Sequence, residues 1–160
     1  MGIRPYREGD LERLIELTIE TFGPFYEESF RSDVGDAVFH HQHGAWRDDY
    51  RRQVPTLFDP DDNKYVAVVE DQSAIVAYVA WEIDVAKHHG DIEILAVAAS
   101  HRRRQLGTML LEHAFAHMRD RAVEVVTIGT GGDWFHAPAR ALYESMGCIP
   151  FPNVYYFKEL

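Results

Sequence analysis

The sequence predicts an α/β fold in a single domain over residues 1–160, with a mixed, mostly antiparallel central sheet flanked by helices. Three observations predict it. Helix-forming segments occupy much of the first fifty residues, two strand-like runs flank a polar turn in the middle, and strand-like and helical runs then alternate. That order of elements is typical of a mixed sheet. A chain of 160 residues is long enough to bury one hydrophobic core.

The first half of the chain predicts three strands and two helices. Apolar residues at spacings of three and four favour helices, whereas alternating, β-branched runs favour strands. Asp10 is expected to cap the first helix, and the pair Gly23-Pro24 to end it. The expected elements are a strand over 3–6, helices over 11–22 and 45–54, and a hairpin of strands over 65–70 and 75–83.

The second half predicts three strands and two helices in alternation. The expected elements are a strand over 91–97, a helix over 107–118, a strand over 123–128, a helix over 138–146 and a closing strand over 154–158. An exposed closing strand is able to pair with another chain, so a homodimer is a candidate assembly.

Composition narrows the class of protein. No run of eighteen apolar residues predicts a membrane span, and no charged leader with an apolar stretch begins the chain. Cys148 is the only cysteine, so no internal disulfide forms and a cytoplasmic location is expected. The net charge of −10 argues against general nucleic-acid binding.

A basic turn joins the strand over 91–97 to the helix that follows it. Backbone N–H groups at a helix start have no internal partner, and together with the helix dipole they favour an anion. Arg102, Arg103 and Arg104 add positive charge beside them. The turn therefore predicts a seat for a pyrophosphate, and hence for a nucleotide-type cofactor.

The same turn resembles the acetyl-CoA-binding motif of the GNAT superfamily of N-acetyltransferases, Arg/Gln-x-x-Gly-x-Gly/Ala. Here it reads Arg102-Arg103-Arg104-Gln105-Leu106-Gly107, so Arg102 and Gly107 match and Gln105 replaces the first glycine. Glutamine serves at that position if its backbone stays in an ordinary region, because the N–H group does the binding.

A second block, residues 136–148, resembles the family pattern Asn-x-x-Ala-x-x-x-Tyr-x-x-x-Gly-Phe. Ala139, Tyr143 and Gly147 are in register, while His136 replaces the asparagine and Cys148 the phenylalanine. Two motifs in order at the family's spacing are a specific signal, and the resemblance covers nearly the whole chain.

The resemblance implies acetyl-CoA as co-substrate, direct transfer within a ternary complex, and no metal. It also implies that the pantetheine arm runs along the strand over 91–97 and that the pyrophosphate meets the turn. The cofactor-binding residues it implies are Leu95, Ala96, Val97, Arg102, Arg103, Arg104, Gln105, Leu106, Gly107, Thr108, His136, Ala139 and Tyr143.

The catalytic residues implied are Tyr143 and Glu93. A phenol with a pKa of about 10 suits protonation of a leaving thiolate at neutral pH, which makes Tyr143 the candidate general acid. Strand alternation is expected to put Asp91, Glu93, Leu95 and Val97 on one face, with Glu93 as candidate base. His88, His89, His136, Glu82 and a water chain remain alternative bases.

The acceptor is expected to be a primary amine of a small cationic molecule. The first fifty residues hold eleven acids and five bases, and aromatic residues are mixed among them. Such a surface suits an amino sugar or a polyamine. An aminoglycoside-type antibiotic, with resistance as the outcome, is the leading specific expectation. The candidate substrate-binding residues are Tyr26, Glu27, Glu28, Glu82, Asp133 and Trp134, although Asp133 serves equally to cap a turn.

Two alternative functions remain open. One is acetylation of a peptide or protein amine, which requires an open groove. The other is acyl-CoA sensing without catalysis, which stays open because Gln105 replaces the first glycine of the family's motif.

Overall fold

The computed structural model describes all 160 residues and contains a five-stranded sheet with helices on both faces. The strands lie side by side in chain order: β1 (Gly2–Pro5), β2 (Lys64–Asp71), β3 (Ala74–Asp84), β4 (His89–Val97) and β5 (Val125–Ile128). Neighbouring strands are antiparallel except β4 and β5, which run parallel. The predicted α/β fold with a mixed, mostly antiparallel sheet is confirmed.

Six α-helices complete the fold. They are α1 (Leu11–Pro24), α2 (Arg31–Val34), α3 (Asp36–His43), α4 (Trp46–Gln53), α5 (Leu106–Asp120) and α6 (Ala137–Ser145). Residues from α1 and α4 pack on one face of the sheet, and residues from α5 and α6 pack on the other. None of these helices is both long and apolar enough to span a bilayer.

The prediction that Gly23-Pro24 ends the first helix is wrong. The chain continues from α1 into a π-helical segment, Phe25–Phe30, and then into α2. Proline has a helical φ, but it removes one hydrogen bond and its ring crowds the preceding turn, and the helix changes from α to π directly after Pro24. Gly23 lies against the Trp46 ring, which a Cβ there would meet at 3.0 Å. Gly23 therefore serves close packing, and the polar stretch after it is helical.

The sheet separates two hydrophobic cores. The core under α5 includes Val69, Val79 and Leu110, and the core under α1 includes Leu17 and Val68. Successive residues of β2 and β3 face opposite cores, and both sets are apolar, so the two strands are buried on both faces.

The predicted closing strand over 154–158 is not formed. Residues 149–160 lack regular secondary structure, every one of them is exposed, and none makes a backbone–backbone hydrogen bond. A strand exists only when a neighbour completes its ladder, and this segment lies beside no sheet edge of its own chain.

Candidate active site

The strands β4 and β5 diverge and leave an opening in the sheet. The two strands pair only from His89 to Ile92, opposite Val125–Ile128, whereas β4 continues to Val97. Beyond Ile92, β4 is hydrogen-bonded to β3 alone. Its outer edge therefore presents free backbone groups to a wedge between the strands.

A cavity of about 260 Å³ occupies this wedge. Of the residues predicted for the site, six line it: Tyr26, Glu93, Leu95, His136, Ala139 and Tyr143. The other lining residues were not named individually as site residues: Phe22, Phe25, Tyr50, Gln53, Ile92, Ile94, Ile128, Gly129 and Thr130. Phe22, Phe25 and Tyr50 belong to the aromatic and acidic segment over 22–50 that was expected on the acceptor side. Gly129 and Thr130 belong to the glycine-rich loop expected beside it.

Glu93 sits in a β-bulge. The ladder between β3 and β4 passes from Ala80 opposite Ile94 directly to Trp81 opposite Ile92, which leaves Glu93 unpaired. A bulge places an extra residue in one strand and redirects its side chain. The sequence contains no sign of this irregularity, because period-two alternation assumes a regular strand.

The bulge makes the predicted common face for Asp91, Glu93, Leu95 and Val97 wrong. Ile92 packs in the core under α5, and so do Leu95 and Val97. Ile94 packs on the opposite face, in the core under α1. Asp91 precedes Ile92 in the strand and therefore lies on the opposite face from Leu95.

The environment of Glu93 favours its neutral form. The side chain opens onto the cavity, but burial of the carboxyl group raises its pKa, and repulsion from Glu82 and Asp91 raises it further. Lys64 opposes the shift and is outweighed. A carboxylate with a raised pKa holds a proton more readily near neutral pH, which is the property of an efficient general base.

Tyr143 faces the same cavity from α6. Burial raises the pKa of its phenol, and the nearby Cys148 adds to the shift. Its hydroxyl makes no hydrogen bond within the chain, so it is available to a ligand in the cavity. The group is protonated throughout the physiological range and is able to donate that proton.

His136, which also lines the cavity, forms a pair with Asp133. The Nδ1 atom of His136 lies 2.6 Å from Oδ1 of Asp133. An ionised carboxylate only accepts hydrogen bonds, so Nδ1 carries a proton and donates it to Asp133. Nε2 makes no hydrogen bond within the chain. Oδ2 of Asp133 accepts a hydrogen bond from the N–H of Phe135 at 3.1 Å, so Asp133 also caps its turn.

Two further features hold this pair in place. Burial acts to raise the pKa of Asp133, but the hydrogen bonds from His136 and Phe135 outweigh it and hold the pKa below its ordinary value. A Cβ at Gly131 would overlap both Oδ1 of Asp133 and the ring of His136, so only glycine fits there.

The basic turn precedes an uncapped helix start. No side chain caps α5, and the first hydrogen bond into the helix runs from Met109 N–H to Gln105 C=O, so the preceding N–H groups are free. Arg102 and Arg103 are exposed and form no ion pair, and the Arg104 guanidinium is 4.0 Å from the Asp71 carboxylate.

The condition set for Gln105, an ordinary backbone conformation, is not met in the structure. Its φ of 60° and ψ of 19° lie in the left-handed region, where glycine is favoured. Gly107 has a different role: a Cβ there would come within 2.8 Å of Leu142 Cδ2. This glycine therefore allows α6 to pack closely on α5.

The predicted substrate residues divide into two groups. Tyr26 lines the cavity, stacks on Trp46 with ring centroids 5.1 Å apart, and shares a 3.2 Å hydrogen bond with Tyr50. Glu82 does not line the cavity, but it lies close enough to Glu93 to raise the pKa of that carboxyl group.

The remaining predicted residues lie outside the cavity lining. The carboxylate of Glu27 accepts hydrogen bonds from Trp46 Nε1 and from two guanidinium groups, and these lower its pKa. Glu28 is exposed on the π-helical segment, and Trp134 is 67% exposed. Asp133 reaches the cavity only through His136.

Residues 13–148 of the chain match the family described as Acetyltransferase (GNAT) family. The chain belongs to this family. As an acetyltransferase of this kind, it is an acyltransferase enzyme, and the family implies acetyl-CoA as its co-substrate.

Relatives agree with the assignment. The uncharacterized N-acetyltransferase YsnE of Bacillus subtilis (strain 168) is 30% identical to this acetyltransferase over 113 residues, which are 61% of this chain and 75% of that protein. The aminoglycoside antibiotic 6'-N-acetyltransferase AAC(6')-IG from Acinetobacter haemolyticus is 17% identical, with a TM-score of 0.69 and coverage of 100% of this chain and 99% of that one. AAC(6')-Iy in complex with a bisubstrate analog, CoA-S-monomethyl-acetylneamine, is 11% identical, with a TM-score of 0.68 and coverage of 99% and 97%.

The residues of this acetyltransferase fit acetyl-CoA. The uncapped start of α5 presents N–H groups suited to a pyrophosphate, and exposed arginines lie beside it. The free edge of β4 from Leu95 to Val97 presents backbone groups to an extended amide-containing chain. Leu95, at the start of that free edge, lines the same cavity as Glu93 and Tyr143.

Proposed function

We propose that this acetyltransferase transfers an acetyl group from acetyl-CoA to a primary amine of a small cationic molecule, directly within a ternary complex. An amino sugar of the aminoglycoside type is the leading acceptor. The observation that carries the proposal is that Glu93 and Tyr143, from β4 and α6, line one cavity at the open edge of the sheet.

The cofactor is held along β4 and α5. N–H groups of Gln105, Leu106, Gly107 and Thr108 bind the pyrophosphate, and the guanidinium groups of the basic turn add charge. Leu95, Ala96 and Val97 hydrogen-bond the pantetheine arm, while His136 and Ala139 contact it from α6. When bound, acetyl-CoA supplies the acetyl group as an activated thioester.

The proton transfers are assigned to two side chains. Glu93 accepts a proton from the acceptor ammonium, directly or through a water, which leaves a neutral nitrogen able to form the new C–N bond. Tyr143 donates its proton to the sulfur as the C–S bond breaks. The raised pKa of Glu93 suits the first task, and the protonated phenol suits the second.

Aromatic side chains and carboxylates bind the acceptor. Phe25, Tyr26 and Tyr50 wall the cavity, so a sugar ring packs against them and an ammonium lies over their faces. Glu82 and Asp91 extend the negative charge beside Glu93, which suits an acceptor with more than one amine. The AAC(6') enzymes of similar fold act on aminoglycosides by name, which supports this class as the first to test.

The acceptor wall favours a small molecule over a peptide. The π-helical segment contributes Phe25 and Tyr26 to the cavity, so this part of the chain covers the acceptor side. A peptide or protein amine needs an open groove at that place.

The deciding experiment is free-thiol release from acetyl-CoA with a panel of aminoglycosides, polyamines, amino acids and peptides. We expect turnover with an amino sugar and loss of turnover in Tyr143→Phe, with acetyl-CoA affinity unchanged by calorimetry. Glu112→Gln, an exposed position on α5, is the matched control and retains full activity. Turnover with peptides alone would replace the acceptor class, and binding without turnover of any amine would favour a sensor.

A further inference from the structure

A chain of hydrogen bonds connects the basic turn to the hairpin of β2 and β3. The Nε2 atom of His101, which directly precedes the three arginines, lies 2.9 Å from Oδ2 of Asp71. The Nδ1 atom of the same ring lies 2.8 Å from the Ser100 hydroxyl. The Arg104 guanidinium lies 4.0 Å from the same Asp71 oxygen. One carboxylate oxygen of the hairpin is therefore close to two residues of the turn.

Both nitrogens of the His101 ring are occupied, so its orientation is fixed. An ionised carboxylate only accepts hydrogen bonds, so Nε2 carries a proton and donates it to Asp71. The Ser100 hydroxyl, which is able to donate or to accept, occupies Nδ1. The side chains of His101 and Asp71 are only 17% and 28% exposed, so solvent weakens this contact less than it weakens a pair on the open surface.

The two ends of this contact differ in how well the backbone holds them. Asp71 ends β2 and pairs with Ala74 in the hairpin, so its position is fixed by the sheet. The turn, by contrast, includes left-handed backbones at Arg103 and Gln105, with φ of 62° and 60°. Its N–H groups over residues 103–108 donate no hydrogen bond within the chain. Strained backbones of this kind persist only where surrounding contacts hold them, and the side-chain contacts with the hairpin supply such support.

The charge of Asp71, taken alone, disfavours an anionic ligand at the turn. A carboxylate repels a nearby pyrophosphate, and it offsets part of the positive charge of Arg104. If charge were its only effect, removal of the Asp71 carboxylate would tighten the binding of acetyl-CoA. If the carboxylate holds the turn in shape, its removal weakens that binding. The sign of the change in affinity therefore separates the two roles.

We propose that Asp71 is a positioning residue for acetyl-CoA: through His101 it holds the basic turn in the shape that directs its free N–H groups at the pyrophosphate. This role rests on the placement of the pyrophosphate in the proposed function, and it adds a residue that neither family motif contains. Asp71 lies outside the cavity lining, so it acts on cofactor binding and not on the proton transfers.

Two substitutions of Asp71 separate its contact from its charge. Asp71→Ala removes the charge and the hydrogen-bond acceptor, whereas Asp71→Asn removes the charge and keeps an oxygen for His101. Because both variants lose the same charge, the ratio of their affinities reports the contact alone. We expect Asp71→Ala to bind acetyl-CoA about tenfold more weakly than Asp71→Asn, and Asp71→Asn to bind at least as tightly as the parent. Calorimetry with acetyl-CoA measures the three affinities.

His101→Ala tests the other partner of the contact. We expect it to weaken acetyl-CoA binding about tenfold in the parent and to cause no further loss in the Asp71→Ala chain, because the two residues act through one contact. Asp84→Ala is the matched control: this carboxylate accepts a hydrogen bond from the Lys87 N–H at 3.1 Å in the turn between β3 and β4. Its affinity should equal that of the parent, and circular dichroism verifies that each variant is folded.

Three results would contradict this role for Asp71. Equal affinities of Asp71→Ala and Asp71→Asn, or tighter binding by Asp71→Ala than by the parent, would overturn the proposal and leave the cofactor placement intact. A parent protein that does not bind acetyl-CoA would overturn the cofactor placement and the positioning role together.

Discussion

The two halves of the sheet differ in how well they are covered. Strands β2 and β3 are buried on both faces, and Val68 and Val79 have no exposed surface. At the other end, β5 has four residues with no buried member, and α6 also has none. Strand β4 belongs with the covered half because Ile92 and Ile94 are buried in the two cores, although Glu93 itself is exposed. Tyr143 comes from the thin half, so the proposed base and acid lie on parts of unequal stability.

This difference in burial indicates which side of the site is rigid and which side is able to adjust. The covered half holds the base and the start of α5 against two cores, whereas the thin half holds the acid on a helix that packs on one side only. Cavity shape therefore depends on α6 more than on β4.

Of the substitutions that test this difference between the two halves, Glu93→Gln has the largest expected effect on activity. Loss of the general base lowers kcat by about 10²–10⁴-fold. It also removes the acidic limb of kcat/KM, because activity of the parent enzyme falls as pH falls through the raised Glu93 pKa. The check is the pH–rate profile, and an unchanged acidic limb would assign the proton to His136 or to water.

The same substitution has a predicted sign in stability. A carboxyl group whose folded pKa is raised contributes stability below its unfolded pKa, and loses that contribution as pH rises through the folded pKa. Glu93→Gln is therefore expected to increase the free energy of unfolding at pH 7, and the gain over the parent should be smaller near pH 4. Urea titrations at the two pH values measure it.

Leu110→Ala against Leu142→Ala compares the two halves directly. Leu110 is fully buried under the sheet, and its truncation should lower the free energy of unfolding by about 3 kcal/mol. Leu142 on α6 is only partly buried, so about 1 kcal/mol is expected there. Urea denaturation gives both values, and equal losses would contradict the proposed difference in coverage.

Gly131→Ala should disturb the His136–Asp133 pair in the thin half. The added Cβ overlaps both partners, and a shift of His136 by about 1 Å lowers kcat/KM by roughly 10²-fold. Gly132→Ala is the matched control, because its Cβ meets nothing within 4 Å. Steady-state kinetics of the two variants test this prediction. Equal values of kcat/KM would show that the His136–Asp133 pair does not contribute to catalysis.

Gln105→Gly has the smallest expected effect. A residue other than glycine in the left-handed region, such as Gln105, lowers the stability of the folded state by about 1–2 kcal/mol. Substitution by glycine relieves this strain, but the greater conformational freedom of glycine in the unfolded chain offsets part of the gain. We expect a gain of about 1 kcal/mol or less in stability and tighter acetyl-CoA binding. Gln72→Gly, with φ of 50° in the β2–β3 turn, is the control that gains stability without changing affinity. Calorimetry measures the stability and the acetyl-CoA affinity of the parent and both variants separately. Equal affinity for all three proteins would show that the backbone strain at Gln105 does not affect cofactor binding.

Sequence patterns predicted the regular parts of the fold for physical reasons. β2 and β3 consist of apolar runs long enough to be recognised, and α5 has a clear apolar repeat. The stretch after Pro24 was not recognised as helical, because the pair Gly23-Pro24 is a strong local signal for a helix end and the periodicity after it is weak. The tail over 154–158 has the pattern of a strand, but pairing decides whether a strand forms.

The sequence predicted individual residues of the candidate site only where they belong to, or lie next to, a family motif. Tyr143 and Glu93 were named from the family patterns, and both line the cavity, but their roles stay predictions. Tyr50 and Phe22 lie in the aromatic and acidic segment expected on the acceptor side, but which of its residues reach the cavity depends on tertiary packing. The left-handed backbone of Gln105 was also missed, because a glutamine carries no signal of that conformation.

Because Glu93 lies in a bulge, the proposed base takes no part in the strand pairing that builds the sheet. Ile92 and Ile94 already occupy the successive ladder positions opposite Trp81 and Ala80. A chain lacking residue 93 would keep every core side chain of β4 on its present face and would form a more regular strand. The carboxylate is thus an insertion into a complete sheet, and the fold and the chemistry of this strand are separable by a single deletion.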